Sequence, residues 1–403
     1  MKRFGSLALF LFLVMSKASA RQESVGVCDY VLTGTSPLAA GDVVQQINDS
    51  TSVFADPNQD GKFIVCADPV TMIVADGAEG SLNLGDVQTP GGIPFELRGF
   101  SKNQPLLILI GNANFKMPSY VASKLSNAQV ISNNQGIAVR GNDLSLADVN
   151  IVAPYGRALM ITPKDDAQIY IADLAAHSKY GVVIQYSGTD PSSYPTVNTV
   201  QVHLTLSDAG SPALSLYNVK GDFLATDFRS AAPKGTNPVA CSLHQSIVDF
   251  NDLKVFESPA TAGFDAGFEL FDSEMTLRLS VVQAETGIRL FGTSHIASMF
   301  SVTLASLQNQ GTNHGAGIQM LNSAPVTEVI GSMDTVILKS TQKTQNWYGI
   351  RLPTGSSIPV GVIGQTKNLT IDSSAGSSTT SFNVSLDKFN KKVPNQTNTV
   401  LIK

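Results

Sequence analysis

Short runs that alternate apolar with polar or small residues, each opened by Gly or Ala, recur through the middle of the chain. They are Gly136-Ile-Ala-Val, Ala158-Leu-Met-Ile, Gly181-Val-Val-Ile, Ala213-Leu-Ser-Leu, Ala240-Cys-Ser-Leu, Gly267-Phe-Glu-Leu, Gly287-Ile-Arg-Leu, Gly317-Ile-Gln-Met and Gly349-Ile-Arg-Leu, spaced by 22, 23, 32, 27, 27, 20, 30 and 32 residues. A period of two is that of a β-strand, whose side chains point to alternate faces. Helical repeats would hold a tighter spacing, whereas the coils of a β-solenoid keep a minimum circumference and take insertions in their turns. Further alternating stretches lie within the periods, among them Leu144–Ile151, Ile169–Ile171, Val200–Leu206, Met275–Leu279 and Asn368–Ile371. Gly, Asn, Asp and Ser separate them, so two or three short strands per coil are expected.

The pattern predicts an all-β fold, a single-stranded right-handed parallel β-helix. Ile137, Leu159, Val182, Leu214, Phe268, Ile288, Ile318 and Ile350 should point inward and stack as one ladder. With coils ~4.8 Å apart, nine of them make a rod of roughly 40 Å. An open end of such a rod leaves backbone groups unpaired and needs a cover. Leu38, Val43, Val44 and Ile47 lie at helical spacing within residues 38–50 and predict a short capping helix. Phe63–Cys66, Pro94–Leu97 and Leu106–Ile110 should form the first, less regular coils. The expected organisation is a signal peptide over 1–20, a cap region over 21–62, the β-helix over 63–372, and a Ser/Thr-rich connector and tail over 373–403. The tail reads as a closing strand or a loose terminus.

Lys2 and Arg3, the apolar run Leu7–Met15 and the triplet Ala18-Ser19-Ala20 have the form of a secretory signal, with cleavage expected after Ala20. The run is too short for a membrane anchor, which needs ~20 apolar residues. Removing Lys2, Arg3 and Lys17 from the 27 basic residues leaves 24 against 32 acidic ones, a net charge of −8. That balance argues against nucleic acid and anionic membranes as partners. A secreted, periplasmic or cell-surface location follows, as a monomer with no membrane span after cleavage. About thirty residues follow Asp372, too few for the strands of a fused outer-membrane barrel, so none is expected. Of three cysteines, Cys28 and Cys66 share the N-terminal region and are expected to bridge, leaving Cys241 as an inward, buried free thiol. Spacing alone leaves other pairings open.

The Gly/Ala-opened coils, together with the leading helix Gly41-Asp-Val-Val-Gln-Gln-Ile47, resemble the pectin-lyase-like superfamily of right-handed parallel β-helices over roughly residues 38–372. The resemblance implies the fold and not an activity. The Asn-Thr-Asp, Asp-Asp, Gly-His-Gly and Arg-Ile-Lys set of polygalacturonases is not present as a constellation. Asp165-Asp166 lies in a Pro-Lys-Asp-Asp-Ala turn, and Asn313-His314-Gly315 lacks the first glycine. Lyase and pectin methylesterase signatures are likewise not visible.

Alternation places two columns on the outer surface. One reads Tyr217, His244, Phe271, Phe291 and Leu321; beside it run Ser242, Glu269, Arg289, Gln319 and Arg351. Adjacent aromatic and hydrogen-bonding columns suit an extended sugar chain, which offers apolar ring faces and hydroxyls. The plainer reading covers the aromatics with loops and makes Glu269 and Arg289 a surface ion pair. Were the protein an enzyme, a glycoside hydrolase or polysaccharide lyase would be the class; only Glu269, followed by Asp272 and Glu274, offers clustered acids. The histidines His177, His203, His244, His295 and His314 show no metal-ligand spacing. Asp56, Asn58 and Asp60 match the start of a calcium loop, but Ala67 stands where the closing Glu belongs, so Ca²⁺ is a candidate cofactor needing a distant ligand. Asn48, Asn368, Asn383 and Asn395 open glycosylation sequons. The leading expectation is binding, with or without processing, of an extended polysaccharide along the outer strand groove. The alternative is a structural or adhesive β-helix that presents loops to a protein partner.

Overall fold

The computed structural model describes residues 28–54, 61–69, 71–77, 80–111, 113–208, 210–233, 236–256, 263–306, 315–321, 329–340, 348–351, 363–372 and 400–402. Strands stack in chain order, and every strand pairing is parallel, each strand bonding to those one coil before and one coil after. The alternating sequence thus folds as an all-β solenoid with a short helix near the N-terminus. One coil shows the path. Ser123–Ser132 crosses the first sheet, bends at Asn127 and enters the second sheet; Ile137–Gly141 crosses the third; Leu144–Ala153 then starts the next coil on the first sheet. Three faces therefore enclose the core.

The bend between the first and second sheets is a stacked column of single left-handed residues. Asn127, Asp148, Asp173, Gln201, Ala225, Asp252, Leu279, Ser301, Thr335 and Asn368 have φ between 49° and 57°. Asn and Asp tolerate this conformation best, because their short side chains bond locally. Leu279 corrects the sequence reading. It continues the alternation of Met275 and Leu277, yet it sits at the bend and is 53% exposed.

The corner that leads into the third sheet explains why the repeats open on Gly or Ala. A Cβ on Gly287 would lie 2.5 Å from the Gly317 carbonyl oxygen, and one on Gly317 would lie 2.7 Å from that of Gly349. Successive coils pass too closely there for a larger side chain. One residue later the inward ladder runs unbroken. Ile137, Leu159, Val182, Leu214, Cys241, Phe268, Ile288, Ile318 and Ile350 are paired level by level, and none is more than 4% exposed. Cys241 occupies its expected rung as a buried free thiol.

At the N-terminal end the helix α1, Ala40–Val53, buries Ala40, Val43, Ile47 and Thr51 and packs against strands Met72–Ala75 and Leu82–Asn83. Two details differ from the expected stripe. Leu38 belongs to a two-residue strand level with Ile73, so pairing claims it before the helix begins. Val44 is only half-buried, turned off the line of Val43 and Ile47. The Gln46 side chain donates to the Thr33 carbonyl at 2.9 Å and accepts from the Thr33 N–H at 3.0 Å, tying the leading segment to the helix. Cys28 and Cys66 are joined, their Cα atoms 5.9 Å apart, beside the pairing of Tyr30–Val31 with Val65–Cys66. Strands thus enter the sheets ahead of residue 63. At the other end Val400–Ile402 pairs with Leu369–Ile371 as a closing strand. No helix among the described residues is long and apolar enough to cross a membrane.

Candidate functional site

The outer surface of the third sheet carries a continuous aromatic stack. Tyr217 and His244 are level on adjacent coils, as are His244 and Phe271, and Phe271 and Phe291. Their ring centroids are 4.3, 4.5 and 4.3 Å apart, with interplanar angles of 12°, 4° and 10°. Parallel strands about 4.8 Å apart set this separation, and identical side-chain direction on each rung sets the angle. The rings are half-buried. Their inner faces are occupied by one another, so solvent meets ring edges along the column. Leu321, 41% exposed, continues the line past Phe291.

Beside the stack run Ser242, Glu269, Arg289, Gln319 and Arg351, each level with the next. Arg289 is the hub. Its Nη1 donates to Asp265 Oδ2 at 2.6 Å and to Glu269 Oε1 at 3.2 Å, and its side chain is 14% exposed. Gln319 and Arg351 follow on the next two coils, half-buried. Glu285 completes the cluster. The pairs Phe264 with Ala284 and Ala266 with Thr286 bracket Asp265 and Glu285 at one level. Burial, then the charge of Asp265, push the Glu285 carboxyl up to about 7, with Arg289 opposing in part.

Asp265 and Glu285 were not among the expected residues, although each stands two positions before an initiating glycine. The acids that were expected to join Glu269 do not. Asp272 turns away at φ 49° to accept from Thr293 N–H at 2.7 Å and Thr293 Oγ1 at 3.1 Å. Glu274 opens a strand on the first sheet and pairs with His295 at 3.3 Å.

His244 adds a second polar contact within the stack, its Nε2 lying 2.9 Å from Ser242 Oγ. Burial lowers the pKa of the ring below the ordinary histidine value. Of the other histidines, His203 Nδ1 lies 3.1 Å from Asp227 Oδ2 on the next coil, and burial lowers His177. His314 and the calcium-loop residues Asp56, Asn58 and Asp60 lie outside the described residues. Among the described residues no group of three His, Cys, Asp or Glu side chains is placed to hold a metal ion.

Fold and site together define a parallel β-solenoid with an outward aromatic stack alongside an acid–arginine cluster. No protein-family model, curated protein or solved structure matches the chain.

Proposed function

We propose that the protein is a secreted or cell-envelope β-helix of the pectin-lyase-like kind, and that the outer surface of its third sheet binds an extended polysaccharide running along the solenoid axis. The observation that carries this reading is the aromatic stack in step with the polar column of Glu269, Arg289, Gln319 and Arg351. A linear glycan repeats its hydroxyls at regular intervals, and a solenoid repeats its side chains once per coil, so a modest contact on one rung is multiplied along the chain. Because the inner ring faces are filled, the ring edges serve as an apolar wall, and hydrogen bonds from the polar column supply orientation. Export agrees with the leader-like first twenty residues and with the Cys28–Cys66 bridge, which persists in oxidising compartments.

A glycan array with the chain from residue 21 onward tests the proposal, followed by affinity measurements on Phe271→Ala and on Gln319→Ala. Binding to one linear polysaccharide that weakens at least tenfold in each variant is the expected result. Absence of any glycan ligand, or binding that survives both changes, overturns it. One observation favours the rival adhesive or structural reading: the rings satisfy each other face to face, as a purely structural ladder would. On that reading Phe271→Ala lowers stability and changes no binding.

A further inference from the structure

We infer that Ser242 and His244 form a nucleophile–base pair that removes small acyl groups from esters, the natural substrate being an O-acetylated polysaccharide. Only the identity of that substrate rests on the binding proposal above; the pair stands on its own geometry. At 2.9 Å, Ser242 Oγ and His244 Nε2 are within the reach that a base needs to take a nucleophile's proton. Both residues lie on the strand Val239–His244, two positions apart, so their side chains leave the sheet on the same side. The equivalent rungs on neighbouring coils carry Val183 and Gln185, Ser215 and Tyr217, or Glu269 and Phe271, so among these described rungs this coil alone supplies both halves of the pair.

A catalytic histidine also needs a fixed orientation, which in a triad comes from a carboxylate. Here the ring is clamped on both faces, by Tyr217 at 4.3 Å and Phe271 at 4.5 Å, nearly parallel to each. The lowered pKa keeps the imidazole neutral, the form that accepts a proton, across the neutral range. Glu269 stands level with Ser242 on the next coil, its carboxylate accepting from Arg289. Ser242 is 3% exposed and lies beside the aromatic stack, so the acyl group proposed is the smallest, acetyl.

In the acylation step Ser242 Oγ bonds to the ester carbonyl carbon while its proton passes to His244 Nε2. The bond from that carbon to the sugar oxygen then breaks, and the imidazolium returns the proton to the departing hydroxyl. Water next attacks the acyl-serine, giving a proton to Nε2, and the carbon–Oγ bond breaks as Oγ recovers it. Acetate is released and the enzyme restored.

The probe is 4-nitrophenyl acetate, assayed with the wild type, Ser242→Ala and His244→Phe, the last chosen because it keeps an aromatic ring in the stack. Melting curves of all three establish that each is folded. Expected are hydrolysis about 100-fold or more above both variants, and acetylation of the tryptic peptide holding Ser242 in the wild type alone. A wild-type rate no faster than buffer, or a Ser242→Ala variant that keeps the wild-type rate, overturns the pair. The glycan array separates the two proposals: an active pair with no glycan ligand removes the polysaccharide reading alone, and glycan binding without esterase activity removes the pair alone.

Discussion

The two sides of the third sheet carry ladders built from the same strands and the same spacing. The inner one, through Cys241, Phe268 and Ile288, is sealed from water; the outer one, through His244, Phe271 and Phe291, is half-buried. Both stack in register, so regular stacking by itself distinguishes neither core from surface nor structure from site. What separates them is the alternative each group has. An inward aliphatic rung has only its neighbours to touch, and deleting it leaves a cavity in a close-packed interior. An outward ring keeps one edge in water and can lose a neighbour to solvent at smaller cost.

The sharpest way to break this comparison is Ile288→Ala. Ile288 is fully buried between Phe268 and Ile318, so truncation should cost about 2 to 5 kcal/mol in a denaturant melt. The matching outer change, Phe271→Ala, removes two stacking contacts and should cost about 1 to 3 kcal/mol. If Phe271→Ala proves the more damaging, the outer stack is core in all but exposure, and a ligand surface there loses its footing.

The inner ladder was fully legible in the sequence, including the rung at Cys241, because alternation after a small residue leaves one inward choice. The outer columns were legible as positions. Their chemistry was not. Alternation says that Phe271 points out but not that its face lies flat against His244, which depends on side-chain torsions fixed by the coil spacing. Asp265 and Glu285 escaped because the strand corner at Gly267 and Gly287 interrupts the alternation just after them. Leu279 was misassigned for a related reason: its local sequence reads as continuing strand, while the stacked bends of the coils on either side, at Asp252 and Ser301, impose the left-handed conformation on it. Tertiary stacking overrode local preference.

Arg289 tests whether the outer surface is ordinary. An exposed charge on a sheet would be worth well under ~1 kcal/mol, the value expected for an isolated surface ion pair. Arg289 instead holds two carboxylates and is 14% exposed, so its loss leaves Asp265 and Glu269 facing each other and Glu285 without their shared counter-ion. Arg289→Ala should therefore cost about 1 to 2 kcal/mol, and Arg289→Lys, which keeps the charge but not the fork of donors, should recover only part of it. A variant as stable as the wild type would mean that the cluster is solvated and carries no special chemistry.

The pH-dependent effect is the most specific, because it reads one proton. The Glu285 carboxyl is raised from 4.5 to about 7, first by burial and then by Asp265. The folded chain therefore holds this proton more tightly than the unfolded chain. Its contribution to stability is complete below pH 4.5 and is lost as pH rises through about 7. Allowing for partial solvent screening, the loss should amount to about 1 to 2 kcal/mol. Glu285→Gln mimics the protonated group, so it should match the wild type below pH 4.5, melt higher than it at pH 8, and show a flatter stability profile between the two. Combining it with Arg289→Ala sharpens the assignment. The guanidinium lowers the Glu285 pKa, so in Arg289→Ala alone the pH-dependent loss should move to higher pH, and adding Glu285→Gln should abolish it. An unchanged profile in Glu285→Gln would place the proton on another group and remove Glu285 from the candidate acids of this surface.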